Sequence, residues 1–449
     1  MKTKIFVLAL ALLTISTFAF GQKEKISYYK PFDQRGVHIF ESPSTDTIDF
    51  KGLKVRIGGN FTQQFQSLSH SNTATPNNVT IGTNTYDLNA LYPITPGFNL
   101  AAANLRFDIQ LEDGIRVSLE NYMSSRHHPE FWVKGGYIQM DKLPMFGNPE
   151  WFTKYITVKI GHFGINYGDQ QFRRSDNGNT MLNPFVGNYI MDAFTTEIGG
   201  ELYLYPVNDV FVMFGMTGGL INGDIKESYD SNGDLIKKNP SILAKAGYDS
   251  QLMDDLRVRI TASLYTNPGT TRNTLYGGDR TGSRYFMVVE PDRYVSAGAF
   301  AFNTPSNKFT SGQINPGFTH TITSISINPF IKFKGLEVFG TYEMSSGKES
   351  PTTQDTRSFN QIAAEAIYRF LPNEQVFVGG RYNKVTGLLA DYTNDISIDR
   401  LQFSMGWYTN KNLLLKLEYV TQNFSGFKDT DYRNGAKFNG IVIEAAVGF

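Results

Sequence analysis

The last ten residues of the chain alternate between two kinds of side chain. Every second one is Ile441, Ile443, Ala445, Val447 or Phe449, and the residues between them are mostly polar or small. Alternate side chains of a β-strand point to opposite faces, so the pattern requires an apolar medium on one side only. Earlier segments repeat the pattern. The repetition predicts an all-β protein, a transmembrane antiparallel β-barrel with a wet interior.

The composition agrees with alternating strands better than with membrane helices. Aromatic residues make up 14% of the chain, yet the mean hydropathy is −0.28. After residue 20 no apolar run approaches the roughly 20 residues that a transmembrane helix needs. Strands between lipid and water explain both facts, because only every second residue is apolar. A large soluble β-protein is the alternative, but it does not explain the aromatic end of the chain.

Residues 1–21 have the features of a signal peptide. Lys2 and Lys4 form a basic start, 5–13 an apolar core, and 19–21 a cleavage site with small residues. We expect this segment to be removed, so that the mature protein is exported to the outer membrane of a Gram-negative cell. The remaining chain should then consist of a periplasmic leader (22–52) and the barrel (53–449).

Charge and cysteine content exclude several classes of function. The chain has 42 basic and 42 acidic residues, so loss of Lys2 and Lys4 with the signal peptide leaves a net charge of −2. This near-neutral balance argues against bulk nucleic-acid binding. The chain contains no cysteine, which rules out disulfides and thiolate metal sites.

Sixteen segments have the strand pattern. An even number places both chain ends on the same side of the membrane, as single-chain bacterial barrels require. Residues 285–289 and 294–300 are candidates for two more strands, so eighteen is the alternative number. The sixteen predicted strands are 53–65, 102–112, 114–123, 132–141, 154–163, 193–205, 209–219, 240–250, 255–265, 319–334, 336–346, 357–371, 375–385, 396–409, 412–423 and 436–449.

The connections between these segments alternate in length. Tight turns such as 112–114 and 334–335 alternate with long polar loops. Short periplasmic turns and long extracellular loops are typical of bacterial outer-membrane barrels. A soluble sandwich would not keep this alternation. The long loops are 66–101, 164–192, 220–239, 266–318 and 424–435.

Charged residues identify the face that points into the barrel. A Lys or Arg near the bilayer midplane costs about 2–4 kcal/mol on the lipid face, so a face that holds several charges must be wet. Sixteen strands enclose an aqueous channel. Basic side chains lining a pore favour anions, and acidic ones favour cations. The basic residues predicted to line the channel are Arg106, Arg116, Lys159, Arg257 and Arg259.

Loop 164–192 is the best candidate for a constriction. It is long enough to fold back into the lumen, and it carries Asp169, Arg173, Arg174 and Asp176. The planar fork of arginine suits phosphate oxygens, so the two arginines are candidates for an anion-attracting eyelet. Alternatively, they form a solvated pair that bonds the two aspartates.

The start of this loop resembles a known family. The stretch 161–170, GHFGINYGDQ, followed by RRSD at 173–176, is similar to the G-x-F-x-x-P-F-G-x-E segment of the phosphate-selective porins O and P. The resemblance covers about residues 100–215, and the glycine- and aromatic-rich loops resemble those of Bacteroidota porins. Asn166 stands where the family often has Pro, and Asp169 and Gln170 replace Glu. The resemblance implies a 16-stranded homotrimeric porin with an anion-binding eyelet, but it does not establish phosphate as the substrate.

We therefore expect a passive diffusion porin for small hydrophilic solutes or ions, in contact with outer-membrane lipid and without a cofactor or metal. Enzyme motifs such as His-Glu-x-x-His and Gly-x-Ser-x-Gly are absent from the sequence. The adjacent His127 and His128 point opposite ways in an extended chain, so they predict a surface loop rather than a metal site. Two alternatives remain: a non-conducting structural or assembly barrel blocked by its loops or by 22–52, and an outer-membrane hydrolase.

Overall fold

The protein forms a closed antiparallel barrel of sixteen strands, as predicted, and the alternative of eighteen is wrong. The computed structural model describes residues 25–43, 48–124, 130–174, 179–219, 225–279, 281–353 and 355–449. The predicted signal peptide, His127 and His128 lie outside these residues. None of the described helices is long and apolar enough to cross a membrane.

The described residues contain twenty strands, of which sixteen belong to the barrel. The other four, β2, β3, β12 and β13, pair as two small hairpins. In chain order the strands are β1 (Lys54–Ser71), β2 (Asn78–Ile81), β3 (Asn84–Asp87), β4 (Gly97–Glu112), β5 (Ile115–Met123), β6 (Trp132–Met140), β7 (Ile156–Gly164), β8 (Thr196–Val207), β9 (Val210–Thr217), β10 (Ser241–Met253), β11 (Leu256–Asn267), β12 (Arg293–Ser296), β13 (Ala299–Phe302), β14 (Thr321–Phe333), β15 (Leu336–Lys348), β16 (Arg357–Phe370), β17 (Val376–Gly387), β18 (Ile396–Asn410), β19 (Leu413–Ser425) and β20 (Lys437–Gly448).

The two segments offered as extra strands lie outside the barrel wall. Residues 285–289 are buried in the loop between β11 and β14, and 294–300 mostly belongs to the β12–β13 hairpin. Their apolar residues fit the strand pattern. In the closed barrel, however, every strand already pairs with two neighbours, so no edge is left for another strand.

The barrel closes where its first and last strands meet. β1 pairs with β20 over twelve residue pairs, with Phe65 opposite Ile443. Beyond β20, Phe449 and Gly59 exchange two backbone hydrogen bonds of 3.0 Å each. A hydrocarbon medium offers no partner for an open strand edge, so this closure satisfies the backbone groups that an open sheet would leave unpaired.

The two faces of each strand separate as the alternation predicted. In β16, buried and exposed residues alternate at every position. Glu365 and Arg369 point inwards and are buried, whereas Ile362, Tyr368 and Phe370 point outwards with 41–47% of their surface exposed. The outward residues of the other strands continue this apolar belt, while the inward residues are largely polar.

The turns at one end are short and the loops at the other are long. The rule for bacterial barrels places the short-turn end in the periplasm. At the β4–β5 turn, Gly114 has φ = 75°, and a side chain there would approach the Cβ of Lys142 to 2.3 Å. Glycine is required at this turn because the next periplasmic connection packs directly against it.

The apolar belt predicts a depth-dependent cost for charge. We expect Ile443→Arg, in the middle of β20, to lower the free energy of unfolding by about 2–4 kcal/mol. The same change at Asn439, towards the extracellular end of the outer face, should cost about 0–1 kcal/mol. Urea titrations of refolding into lipid vesicles measure both values, and equal costs would contradict a membrane-spanning β20.

Candidate functional site

The long loop between β7 and β8 folds back into the lumen. Its backbone is bonded to inward side chains of distant strands: Ile190 N donates to Asn383 Oδ1 at 2.8 Å, and Val186 N donates to Glu418 Oε2 at 2.8 Å. All four of these residues are fully buried. The loop is therefore packed against the wall formed by β17 and β19.

The loop between β11 and β14 fills the neighbouring part of the lumen. Arg284 forms an ion pair with Glu444 of β20. The Gln66 side chain of β1 both donates to the carbonyl of Phe286 (2.9 Å) and accepts from its amide (3.0 Å). The two loops together fill the side of the barrel from β14 through β20 to β1 with protein.

Arg173 lies in this packed region. Its guanidinium contacts Glu337 of β15 and lies 3.3 Å from Glu365 of β16. The ring of Phe339 lies 4.8 Å from the guanidinium carbon. With two carboxylates and an aromatic ring around it, Arg173 fastens the loop to the wall.

Arg174 is fully buried in a different set of contacts. It pairs with Asp192 of its own loop, and its Nη2 lies 2.8 Å from Asp279 of the second loop. This arrangement links the two loops to each other. Asp176, the predicted partner of the arginine pair, lies outside the described residues.

Asp169 anchors the beginning of the constriction loop to the wall formed by β10 and β11. It contacts Arg259 of β11 at 2.8 Å and Lys245 of β10 at 2.7 Å. Burial by itself would raise the pKa of Asp169, but Lys245 and Arg259 outweigh it and hold that pKa well below its usual value. Asp169 therefore stays ionised, and the anchor persists at any physiological pH.

The N-terminal segment also lies inside the barrel, at its periplasmic end. Gln34 N donates to the carbonyl of Lys411 in a periplasmic turn at 2.9 Å. The His38 ring lies 3.3 Å from Glu337 and 3.2 Å from Glu374. The described part of the predicted leader thus spans the mouth of the barrel, bonded to the rim.

Residues 38–43 form what we call the lumen strap. Glu41 lies 2.8 Å from Arg259 and 3.1 Å from Lys245, beside Asp169. Burial tends to raise the pKa of Glu41, but Arg259 and Lys245 outweigh it and keep that pKa below its usual value. Two cations and two carboxylates therefore join the strap and the constriction loop to β10 and β11.

A cavity of about 200 Å³ remains between the packed loops and the wall of β4 to β8. We call it the lumen cavity. It is the part of the described lumen in which a solute could sit beside the constriction loop. Its charged lining residues are Lys30, Glu41, Arg106, Glu120, Lys134 and Lys159.

A larger opening of about 1190 Å³, which we call the vestibule, lies at the periplasmic mouth. Arg257 and Arg259 line it. Phe40, Glu41 and Ser42 line both the vestibule and the lumen cavity. The strap therefore separates the two spaces, and a solute crossing from one to the other must pass it.

Each cation of the lumen cavity lies near an aromatic ring. Lys159 Nζ is 3.9 Å from the ring centre of Phe163. The others lie within 5.4 Å of a ring, at distances that allow cation–π attraction. The remaining pairs are Arg106 with Phe32 (4.9 Å), Lys30 with Phe172 (4.8 Å) and Lys134 with Phe194 (5.4 Å).

Apart from Arg116, the described residues predicted to line the channel fall into three groups. Arg106 and Lys159 line the lumen cavity, and Arg257 and Arg259 line the vestibule. Arg116 is buried and donates to Gln139, whose side chain reaches the cavity. The third group is buried in the ion pairs that hold the constriction loop: Asp169, Arg173 and Arg174.

Sequence reasoning missed several residues of this site. Lys134 faces inwards because a β-bulge opposite Glu120 and Asn121 changes the register of β6. No pattern in the sequence predicted this bulge. Lys30 and Glu41 come from the leader, which has no strand period. Among the described residues, no group of three or more His, Asp or Glu side chains is placed to hold a metal ion.

No protein-family model and no curated protein matches the chain. Solved structures with a similar fold are outer-membrane barrels. The anion-selective porin from Comamonas acidovorans is 10% identical with a TM-score of 0.52, covering 88% of this chain and 100% of that one. The outer membrane channel DcaP of Acinetobacter baumannii is 11% identical with a TM-score of 0.50, covering 90% and 99%. At such identities the likeness shows the fold alone: this chain has the barrel fold of outer-membrane porins.

The ion pairs of Glu41 predict how firmly the strap is held. Glu41→Gln should weaken its charged hydrogen bonds by about 1.5–3 kcal/mol, which corresponds to roughly 10- to 100-fold faster hydrogen exchange at amides of 38–43. Hydrogen-exchange mass spectrometry of the detergent-solubilised protein measures this. Glu112→Gln, at the exposed periplasmic end of β4, is the control and should leave the strap protected. Unchanged exchange in Glu41→Gln would show that Glu41 does not hold the strap.

Proposed function

We propose that the protein is a narrow outer-membrane porin through which small hydrophilic solutes diffuse, with a preference for anions. The observation that carries this proposal is the lumen cavity beside β4–β8, which is separated from the vestibule by the strap residues that line both spaces. The rest of the barrel is filled, so the proposed path runs along one wall. The apolar belt and the porin fold support a place in the outer membrane.

The charges of the lumen cavity support the anion preference. Lys30, Arg106, Lys134 and Lys159 outnumber the two lining carboxylates, Glu41 and Glu120. Lys134 and Lys159 are partly compensated by Glu120 and Glu201, at 3.4 and 3.3 Å. Since basic linings select anions, we expect a modest preference rather than strict exclusion of cations.

A closed structural or assembly barrel is the second candidate, and the filled lumen favours it. Two loops and the N-terminal segment occupy most of the interior, and the strap lies across the remaining path. The two candidates differ in one measurement, which is ion current through purified protein in planar bilayers. Reproducible channel steps support the porin, and an inserted, folded protein without current supports the closed barrel.

The homotrimer remains a prediction, and native mass spectrometry of the detergent-solubilised protein measures the oligomeric state.

The cavity charges predict a selectivity change. We expect Lys134→Gln with Lys159→Gln to lower the anion-to-cation permeability ratio by about 3- to 30-fold, because a charge about 4 Å from an ion contributes about 1 kcal/mol in water. Reversal potentials in a salt gradient measure the ratio. Lys384→Gln, on the outer face of β17, removes a lysine far from the cavity and should change nothing. An unchanged ratio in the double variant, with current intact, would mean that ions take another route.

Lys30 predicts a pH dependence. Burial lowers the pKa of Lys30 to about 7, although Glu41 opposes the shift. Lysine is cationic below its pKa, so the cavity gains a positive charge as the pH falls through about 7. The anion-to-cation permeability ratio should therefore rise on acidification through that pH, and Lys30→Gln should lack the step. A step of the same size in Lys30→Gln would assign the titration to another group.

The proposal extends to phosphate as the favoured anion. The cavity offers one arginine, Arg106, among lysines, and two of its neighbours, Ser118 and Tyr137, supply hydroxyl groups that already accept its hydrogen bonds at 2.9 and 3.2 Å. Adding inorganic phosphate while the channel carries chloride distinguishes a phosphate-binding site from a general preference for anions. Block by millimolar phosphate would indicate a binding site, and simple additivity would indicate general anion preference.

A further inference from the structure

The connection between β6 and β7 differs from the other periplasmic connections. Among the described residues these turns run from two residues, as at 208–209, to five at 371–375. The β6–β7 connection spans 141–155 and contains a 3₁₀ turn (Pro144–Phe146) and a short helix (Glu150–Tyr155). A tight turn would suffice to join two antiparallel neighbours, so the extra length requires another explanation.

The segment exposes large apolar side chains. Met145, Phe146 and Trp151 have 62%, 75% and 59% of their surface accessible. Only Phe152 is turned inwards, with 6% exposed and its ring 5.8 Å from that of Trp151. Apolar surface left in water forgoes the favourable free energy of its burial. Three such residues in one short connection therefore indicate a surface that meets something other than water.

The polar side chains of the same segment point elsewhere. Lys142, Thr153 and Lys154 line the vestibule, on the water-filled side. Lys142 also lies 2.9 Å from Asp113 of the β4–β5 turn, which fixes the segment to the rim. Met145, Phe146 and Trp151 line neither the vestibule nor the lumen cavity. The segment is therefore amphipathic, with one side towards the mouth and the other away from it.

The segment adjoins the lipid-facing belt at both of its ends. The segment leaves β6 and enters β7, whose outward residues Ile138 and Ile160 are 45% and 53% exposed. Leu111, at the periplasmic end of β4 beside the turn that holds Lys142, is 42% exposed. Tryptophan is enriched at the membrane–water interface, where its ring is apolar and its N–H is hydrated. Short amphipathic segments with Trp and Phe lie in that interface.

We propose that residues 143–155 form a membrane foot, which lies in the headgroup region of the periplasmic leaflet and binds phospholipid through Met145, Phe146 and Trp151. The partner is the lipid surface itself. This interaction does not depend on whether the barrel conducts, because it concerns the outer rim rather than the lumen. The foot holds the rim of the β4–β8 wall, which lines the lumen cavity, at a defined depth.

The three tryptophans of the chain provide the test with internal controls. Trp407, on the outer face of β18, is 54% exposed and is the lipid-facing reference. Trp132 pairs with the buried, inward Tyr122 and is the lumen-side reference. Three single-tryptophan proteins, made by replacing the other two with Phe, are folded into phosphatidylcholine vesicles. Lipids brominated at shallow or deep acyl positions, and aqueous acrylamide, then serve as quenchers.

We expect brominated lipid to quench Trp151 as it quenches Trp407, with shallow bromines more effective than deep ones, and to spare Trp132. Quenching of Trp151 by acrylamide alone would place the segment in the periplasm and overturn the proposal. Protection from both quenchers would indicate that protein, such as a second copy of the chain, covers it, and would also overturn it.

A second measurement keeps the test independent of the tryptophan replacements. The chain has no cysteine, so Phe146→Cys gives a single site for a nitroxide label. The label should be relaxed more by oxygen, which partitions into the bilayer, than by a water-soluble nickel complex. A label at Asn208, in the two-residue β8–β9 turn, is the matched control and should show the opposite preference. The same preference at both sites would contradict a specific foot.

Discussion

Backbone hydrogen bonding in hydrocarbon is the constraint on which this structure depends. Lipid offers no partner to an amide or a carbonyl, so a sheet that crosses the bilayer must close on itself. The β1–β20 seam, completed by Phe449 against Gly59, removes the edge. Once the wall is closed, outward side chains meet lipid and inward ones must be hydrated or paired. The alternation along each strand is the direct result.

The inward charges then determine how the loops fold. Sixteen strands enclose more space than their own side chains fill. Glu337, Glu365 and Glu418 point into that space, and each is buried against a loop residue, so the loops supply the hydrogen bonds that water would otherwise provide. The packed loops occupy the β14–β20 side and leave the lumen cavity beside β4–β8. The space inside a barrel of this width is thus reduced to an off-axis cavity along one wall.

The fold could be predicted from the sequence, but the arrangement of the site could be predicted only in part. Strand alternation and turn lengths are local signals, so the strand number, the facing of Arg106 and Lys159 and the polar lumen followed from them. The contacts of Arg173 could not, because its partners Glu337 and Glu365 lie 164 and 192 residues further along the chain. No local pattern encodes which wall a long loop will meet.

The sequence by itself determined the medium on each side of the wall, since a period of two with one apolar face, together with the alternation of short turns and long loops, is typical of a membrane barrel. Only the tertiary structure decided which part of the lumen the loops leave unfilled. That outcome depends on the ion pairs of Glu41, Asp169 and Arg259, which join the leader, a loop and a strand that are far apart in sequence. No local pattern in the sequence identifies such pairs, because only the folded barrel brings these charges within bonding distance.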